Sequence, residues 1–367
     1  MKVLIITYYW PPAGGSGVQR WLKFVKYLQK FGINPIVITT DIESGKKAFA
    51  QGKIDYSLLD DLPKDTTIIQ IPTDDYSSFY HNKFESIKHH YLSINDHFVK
   101  HWGNNVDDKI KAIIDKYQPQ AIYATAPPFG TATIVAQISE KFNIPLIMDM
   151  RDHWSHWGTG AYISKLHYLA TLKAERKVFT TATKIISVTQ QVINDFKSAH
   201  KNIPESKFDV ITNGFEKELM NYDAIKLEKK EKYVIGYMGE FYYSPQAHTT
   251  IFKKWYKKRP NRMLQYIPRV EDYKYRSPYY FFKTLHQLFI DNPELKNNIE
   301  FHYIGGHKDW LLDMVKEFDL EANTVFYGRV NYSESLKIAQ KFDFCLSTSV
   351  KVTDGEDYAL ASKTFDY

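Results

Sequence analysis

The strongest constraint on the fold is a regular alternation of short apolar runs and amphipathic segments. Runs such as KVLIIT (2–7), PIVITT (35–40) and QAIYAT (120–125) are typical of strands buried on both faces. Between most of them, apolar residues recur at helical spacing. In the first such segment they are Val18, Trp21, Leu22, Val25 and Leu28. This alternation predicts the α/β class, with parallel sheets covered by helices on both faces.

One charged stretch interrupts the alternation and predicts two doubly wound domains. We expect an N-terminal domain at 1–214, a linker at 215–232 and a C-terminal domain at 233–367. Further strands are predicted at 66–71, 145–150, 184–189, 208–212, 233–240, 299–306, 324–330 and 342–349. Further helices are predicted at 105–117, 130–142, 164–181, 189–199, 278–291, 307–318 and 332–341. The second domain has about four predicted strands where such domains usually have five or six, so we expect it to be incomplete and the chain to be truncated at its C-terminal end.

Composition narrows the function classes. Lys and Arg total 48 against 42 Asp and Glu, and the net charge of +6 permits an anionic partner without requiring one. The single cysteine, Cys345, excludes an internal disulfide framework and fits a reducing compartment. Its setting, FDFCLST, predicts a buried, unreactive thiol. No run of 18 apolar residues occurs, so no membrane span is predicted.

The loop between the first strand and the first helix holds Gly14, Gly15 and Gly17. Ligands of open α/β sheets bind beyond the carboxyl ends of the strands, and a helix N-terminus there attracts anions. The loop therefore fits a phosphate, although a tight turn without a ligand explains the glycines equally well. A dinucleotide fingerprint is excluded because Arg20 stands where its third glycine is required. We therefore expect no nicotinamide or flavin cofactor.

Polar residues follow another buried strand in DMRDHW (149–154). Arg151 and Asp152 stand at the same edge of the sheet as the glycine loop, although ion pairing with Asp149 gives them a purely structural alternative. His153 and His156 suggest a zinc site. We favour the aromatic and polar lining of a sugar site instead, and we predict no metal.

Taken in order, these segments resemble the retaining glycosyltransferases of the GT-B type, family 4, in their bacterial surface-polysaccharide branch. The similar segments are YYWPPAGGSGVQRWLKFVKYL, TAPPFGTA, DMRDHW, VITNGF, YMGEFYY, YIGG, VFYGRV and SKTFDY. The resemblance covers essentially the whole chain. It implies two Rossmann-like domains facing across a cleft, with a nucleotide sugar bound mainly by the second domain and the acceptor by the first. It also implies catalysis without a metal or other cofactor.

The resemblance assigns roles to individual residues. Arg151 and Asp152 correspond to catalytic polar contacts to the reacting sugar or acceptor, and Lys363 is expected to meet the diphosphate. The donor-binding positions are Gly14, Gly15, Gly239, Glu240, Arg329, Val330, Ser362, Lys363 and Asp366. The chain departs from the family in three places. In the loop after the first strand of the second domain, many relatives carry a phosphate-binding Arg and Lys, whereas this chain has Glu240 and no nearby equivalent. Asp366 stands in the place of a Glu that binds the ribose hydroxyls. Tyr358 stands in the place of the first Glu of the family's E-x7-E pair.

An insertion at 243–276 follows the first strand of the second domain. Its part 253–276 contains nine Lys or Arg, two acidic residues and five aromatic residues. A solvated basic face explains this composition, and so does contact with an anionic membrane surface or a lipid-linked acceptor. The candidates for that contact are Lys253, Lys254, Trp255, Lys257, Lys258 and Arg259. No nucleic-acid motif accompanies the segment, so no nucleic-acid partner is expected.

The sequence is thus interpreted as a glycosyltransferase that moves a sugar from a UDP- or GDP-sugar to a surface-polysaccharide or lipid-linked glycan acceptor. Retention of configuration, a cytoplasmic location and peripheral attachment to the inner membrane follow from the resemblance. Two alternatives stay open at this point. The chain is a nucleotide- or sugar-binding protein without catalytic activity, or it is an inactive fragment of a transferase.

Overall fold

The computed structural model describes residues 1–14, 16–44, 54–73, 87, 97–156, 160–217, 231–245, 249, 253–353 and 355–367. The chain forms two compact units. Unit 1 comprises residues 1–212 together with 260–268, and unit 2 comprises residues 213–259 and 269–367. Part of the predicted insertion therefore packs with unit 1, through an antiparallel bridge between Tyr162 and Tyr266. Most of the predicted linker lies outside the described residues.

Unit 1 contains a parallel sheet of seven strands. They are β1 (Lys2–Ile6), β2 (Asn34–Thr40), β3 (Thr67–Ile71), β4 (Ala121–Ala126), β5 (Leu146–Met150), β6 (Lys184–Ser187) and β7 (Phe208–Val210). The spatial order is β3-β2-β1-β4-β5-β6-β7, so the order reverses between β1 and β4. The helices are α1 (Ser16–Leu28), α2 (His97–Tyr117), α3 (Phe129–Phe142), α4 (Lys165–Thr181) and α5 (Gln190–Ala199). Loops that flank such a reversal form the usual ligand crevice of this architecture.

Unit 2 contains a parallel sheet of four strands. They are β8 (Tyr233–Met238), β9 (Ile299–Ile304), β10 (Thr324–Gly328) and β11 (Phe344–Cys345), in the order β10-β9-β8-β11. Its helices are α6 (Tyr279–Asp291), α7 (Asp309–Glu317), α8 (Tyr332–Ala339) and α9 (Lys363–Asp366). The predicted α/β class with two doubly wound, Rossmann-like domains is confirmed. All but one of the predicted helices match to within two residues at each end; α2 begins earlier than predicted, because Val99 and Trp102 are buried.

The two units have different cores. In unit 1, strand β1 lies inside the sheet between β2 and β4, and its Val3, Leu4, Ile5 and Ile6 are fully buried, as expected for a strand covered on both faces. The core of unit 2 is aromatic. Tyr237 stacks on Phe241 with ring centroids 3.7 Å apart, and Tyr303 lies parallel to both. These stacked rings lie beneath the carboxyl ends of β8 and β9.

The prediction that Cys345 is buried was wrong, because this residue is exposed. It lies in β11, a two-residue strand at the edge of the sheet that pairs only with β8 among the described strands. Neighbouring Phe344 is also 60% exposed. In the part of the chain that the structure describes, no helix is long and apolar enough to cross a membrane.

Candidate functional site

The candidate site is formed by the loops at the carboxyl ends of three neighbouring strands in unit 2. Glu240 follows β8, Lys308 follows β9 and Arg329 follows β10. Parallel strands end at the same edge of their sheet, and this brings together three charged residues that are far apart in sequence. Lys363, the first residue of α9, completes the group.

The carboxylate of Glu240 contacts three other groups of the site. Its Oε1 accepts hydrogen bonds from Arg329 Nη2 at 2.9 Å and from the Gly306 backbone N–H at 3.2 Å. Its Oε2 pairs with Lys308 Nζ at 3.2 Å. Burial raises the pKa of Glu240, but the hydrogen bonds from Arg329 and Lys308 outweigh it and leave the pKa below its ordinary value. Glu240 is therefore a carboxylate at neutral pH.

Gly306, in the loop after β9, lies close to two of these side chains. A Cβ there would lie 2.7 Å from Glu240 Oε1 and 3.1 Å from Arg329 Nη2. Carbon and oxygen do not approach to 2.7 Å without repulsion, so a side chain at this position would push the carboxylate out of its place. Gly306, two residues beyond β9, thus leaves room for the carboxylate of Glu240.

Lys363 is a cation of the site whose pKa is strongly shifted by its surroundings. Its Nζ lies 3.5 Å from the centroid of the Tyr237 ring, and also about as far from a Cβ built on Gly239. Desolvation by burial lowers the pKa of Lys363 to about 7, while the charges of Glu240 and Asp366 act to raise it. Close contact with the ring face favours the charged form, because the π face carries negative potential.

The short helix α9 is fixed to the sheet by its own polar groups. The Tyr332 hydroxyl donates to Asp366 Oδ1 at 2.7 Å, and the Met238 backbone N–H donates to the Tyr367 hydroxyl at 2.9 Å. These bonds join α9 to α8 and to the end of β8. The backbone that carries Lys363 is therefore held at the site.

In unit 1, the predicted polar residues are largely used within the fold. Arg20 and Asp149 form a buried ion pair at 3.0 Å, and Trp21 donates to the same carboxylate at 2.7 Å. The guanidinium of Arg151 donates to the backbone carbonyls of Gly17 and Pro127. These bonds join the first turn of α1 to the loop after β4.

The glycine loop of unit 1 has a specific packing role. A Cβ on Gly17 would lie 2.6 Å from Arg151 Nη1, so this glycine admits the arginine side chain. Gly14 is half-buried, and Gly15 lies outside the described residues. The close approach at Gly17 is thus made by a group of the protein itself, and the predicted approach of a ligand to this loop stays a prediction.

The structure brings some of the predicted donor-site residues of unit 2 together. Four of these residues lie together beyond the carboxyl ends of the strands of unit 2: Gly239, Glu240, Arg329 and Lys363. Val330 packs against an apolar cluster of Met238, Ile304 and Ile338. Ser362 is half-buried immediately before α9, and Asp152 is half-buried beside Arg151.

Sequence reasoning missed Lys308. The available signal was its place two residues beyond YIGG, between a glycine-ended strand and a helix.

Tyr358, which stands in the place of a family glutamate, donates from its hydroxyl to Glu271 Oε1 at 2.7 Å. Of the predicted membrane-contact residues, all are exposed except Lys258, and Trp255 is 64% exposed. The described residues contain no group of three or more His, Cys, Asp or Glu that could hold a metal ion.

No protein-family model matches the sequence, and no curated protein matches it significantly. Solved structures do match. Sucrose-phosphate synthase from Thermosynechococcus elongatus has a TM-score of 0.52 at 12% identity, over 94% of this chain and 74% of that chain. Anabaena Alr3699/HepE in complex with UDP has a TM-score of 0.52 at 13% identity, over 94% and 73%. The UDP-GlcNAc 2-epimerase from Methanocaldococcus jannaschii has a TM-score of 0.47 at 11% identity, over 94% and 78%. The first two likenesses show the fold, two Rossmann-like α/β domains of the GT-B type.

Proposed function

We propose that this protein is a glycosyltransferase whose unit 2 binds the diphosphate of a nucleotide-sugar donor. The observation that carries the proposal is the convergence of Lys308, Arg329, Lys363 and the Gly306 backbone N–H at one edge of the sheet. Cationic side chains and backbone N–H groups at such an edge are the usual means of holding phosphate. The similar HepE protein was crystallised with UDP, and with UDP and glucose, which supports the same class of ligand here.

The chemistry of transfer requires these cations. When the bond between the sugar and the diphosphate breaks, negative charge grows on the leaving phosphate oxygens. Fixed cations and N–H groups that face those oxygens stabilise the transition state more than the ground state. Glu240 differs from these groups, because its carboxylate brings a negative charge to the proposed diphosphate site.

The resemblance to family 4 adds finer assignments. We propose a UDP- or GDP-sugar donor, transfer with retention of configuration, and no metal or other cofactor. The acceptor hydroxyl then attacks the face from which the diphosphate departs, and a donor phosphate oxygen takes its proton. No protein nucleophile is needed in this scheme. We further propose that Ser362 and Asp366 contact the donor beside Lys363, and that Val330 borders the nucleotide base.

For unit 1, we propose that the acceptor, a surface polysaccharide or a lipid-linked glycan, binds beyond the carboxyl ends of its strands. Arg151 fits a positioning role better than direct contact, because its N–H groups already bond the first turn of α1 and the loop after β4. Asp152 follows it on the same loop and is our candidate for a polar contact to the reacting sugar or acceptor.

We propose that the exposed residues of 253–259 contact an anionic membrane surface, as peripheral attachment to the inner membrane requires. Trp255 and Tyr256 are 64% and 56% exposed among flanking lysines. Basic residues are attracted to anionic headgroups, and tryptophan and tyrosine prefer the interface. A cytoplasmic location belongs to the same proposal, since nucleotide sugars are the donors it names.

Two measurements test the proposed function. Thermal unfolding measured with UDP, GDP and their sugars should show stabilisation by at least one nucleoside diphosphate. Lys363→Ala should lose that stabilisation, whereas Lys337→Ala, which changes an exposed lysine on α8, should keep it. Release of nucleoside diphosphate from the donor then separates a transferase from a binding protein. If no nucleoside diphosphate stabilises the wild-type protein, the proposed function is wrong.

A further inference from the structure

Three hydrogen-bond donors from separate parts of unit 2 meet at a single anion, and that anion is a side chain of the protein. The Gly306 N–H, Arg329 Nη2 and Lys308 Nζ all point to the carboxylate of Glu240, at 2.9 to 3.2 Å. Two of the donors are cationic, and both oxygens of the carboxylate are engaged. This is the donor set that binds a phosphoryl group in other proteins.

The local backbone is shaped around this contact. The absence of a side chain at Gly306 leaves room for an anionic oxygen at hydrogen-bond distance from its N–H. Lys308 and Arg329 remain 37% and 44% exposed at their side chains, whereas that of Glu240 is 19% exposed. The two cations can therefore reach an incoming ligand from the solvent side, and the carboxylate can rotate toward solvent about its own side-chain bonds.

We propose that Glu240 is an internal anion that fills the phosphate site of unit 2 in the unliganded protein. The diphosphate of the ligand must displace it from Gly306, Lys308 and Arg329. This inference rests on the proposed function for the identity of the ligand, and it adds a determinant of affinity. Ligand binding is a competition between two anions for one set of donors.

The competition has a direction that can be measured. A displaced Glu240 stays covalently attached beside the site, so its negative charge also repels the bound ligand. Removing that charge ends both the competition and the repulsion. A residue that served only to organise Lys308 and Arg329 would have the opposite effect, because its removal would leave the cations without a fixed position.

The decisive variant is Glu240→Gln, which keeps the size of the side chain and an oxygen acceptor for Gly306. Inorganic pyrophosphate is the probe, because it carries the anion without a nucleoside. Isothermal titration calorimetry at pH 7 should show at least about tenfold tighter binding of pyrophosphate to the variant than to wild type. Uridine, which has no phosphate, should bind both proteins equally.

The chain supplies a matched control in Glu300. Its side chain is 21% exposed and also pairs with two basic residues, Lys232 at 2.6 Å and His302 at 3.1 Å. It is the second residue of β9, at the end of that strand opposite to the one that Gly306 follows. Glu300→Gln removes the same charge from unit 2 at a distance from the site and should leave the affinity for pyrophosphate unchanged.

Equal or weaker pyrophosphate binding by Glu240→Gln overturns the inference, and so does an equal gain in Glu300→Gln. If Glu240→Gln does not fold, Glu240→Asp decides the matter. Its carboxylate is one methylene shorter and cannot make all three contacts, so it should also bind pyrophosphate more tightly than wild type. Unchanged or weaker binding by that variant again overturns the inference.

The failure of this inference differs from failure of the proposed function. Wild-type binding of UDP without any gain in Glu240→Gln leaves the function standing and removes the internal anion. Tighter pyrophosphate binding by Glu240→Gln, with no binding of any nucleoside diphosphate by either protein, leaves the internal anion standing and removes the nucleotide-sugar donor.

Discussion

The ionisation of Lys363 gives the sharpest prediction. Its Nζ is buried against the Tyr237 ring, and desolvation lowers its pKa from 10.5 to about 7. The lysine is therefore only partly protonated under ordinary assay conditions. If the diphosphate of a donor contacts it, the ligand binds best to the charged form, and binding must be accompanied by proton uptake above pH 7.

The magnitude follows from the two pKa values. A fall of the pKa from 10.5 to about 7 corresponds to on the order of 5 kcal/mol against the charged form. The carboxylates that face Lys363 are Glu240 and Asp366, and neither restores its ordinary pKa. With a pKa near 7, the protonated fraction falls from roughly one quarter at pH 7.5 to about 3% at pH 8.5. The affinity for UDP should fall nearly tenfold over that interval.

The assay is calorimetry of UDP binding at pH 7.0, 7.5, 8.0 and 8.5, repeated at pH 8.0 in two buffers of different ionisation enthalpy. Wild type should take up about one proton for each UDP bound at pH 8.0. Lys363→Arg is the matched control, because its guanidinium stays charged throughout this range. Its affinity should vary little with pH, and its proton uptake should be close to zero.

Three results would refute this reasoning. Wild-type affinity that is flat between pH 7.5 and 8.5 would show that Lys363 is fully charged or does not contact the ligand. An equal pH dependence in Lys363→Arg would assign the titration to another group. Affinity that rises with pH would reverse the sign and would require a group that binds UDP in its deprotonated form.

Three further predictions concern other parts of the chain. Gly306→Ala should weaken UDP binding at least about tenfold by calorimetry, because the added methyl group fills the space beside the Gly306 N–H that a phosphate oxygen must enter; Gly214→Ala, whose Cβ meets no atom within 4 Å, should not. Arg20→Met should lower the free energy of unfolding of unit 1 by about 3–5 kcal/mol, since it leaves the buried carboxylate of Asp149 without its ion-pair partner; a loss under about 1 kcal/mol in urea denaturation contradicts this. Changing the exposed lysines of 253–259 to glutamine should reduce sedimentation with anionic vesicles, and unchanged sedimentation would leave only a solvated basic face.

The fold could be predicted because its signal is local and periodic. Most strands are short apolar runs and most helices show regular apolar spacing, which depends only on neighbours in sequence. The start of α2 was also readable, since Val99, Trp102, Val106 and Ile110 stand at helical spacing and are all buried. The exposure of Cys345 was not readable. It depends on β11 lying at the edge of a sheet, and strand order is not written in any one segment.

The site could be predicted only in part, because its chemistry depends on which strands are neighbours. The resemblance named Glu240, Arg329 and Lys363 as members of one donor-binding set, but the sequence did not give the strand order that brings them together. The order β10-β9-β8 brings the loops of three strands together and adds Lys308. Arg151 shows the converse case. It stands at a strand end as predicted, but its contacts are backbone carbonyls, which no side-chain pattern reveals.

The positions of the charges suggest how the proposed reaction and the internal anion fit together. Lys308, Arg329 and a protonated Lys363 face the two carboxylates of Glu240 and Asp366, so the site has a single net positive charge. A donor diphosphate that displaces Glu240 gains two cations and raises the pKa of Lys363 by its own charge. The negative charge on the diphosphate increases again when the sugar leaves, and this added charge raises the pKa of Lys363 further. In the proposed reaction, Lys363 would therefore contribute most when the leaving group carries most charge, which is the condition for stabilising a transition state rather than a substrate.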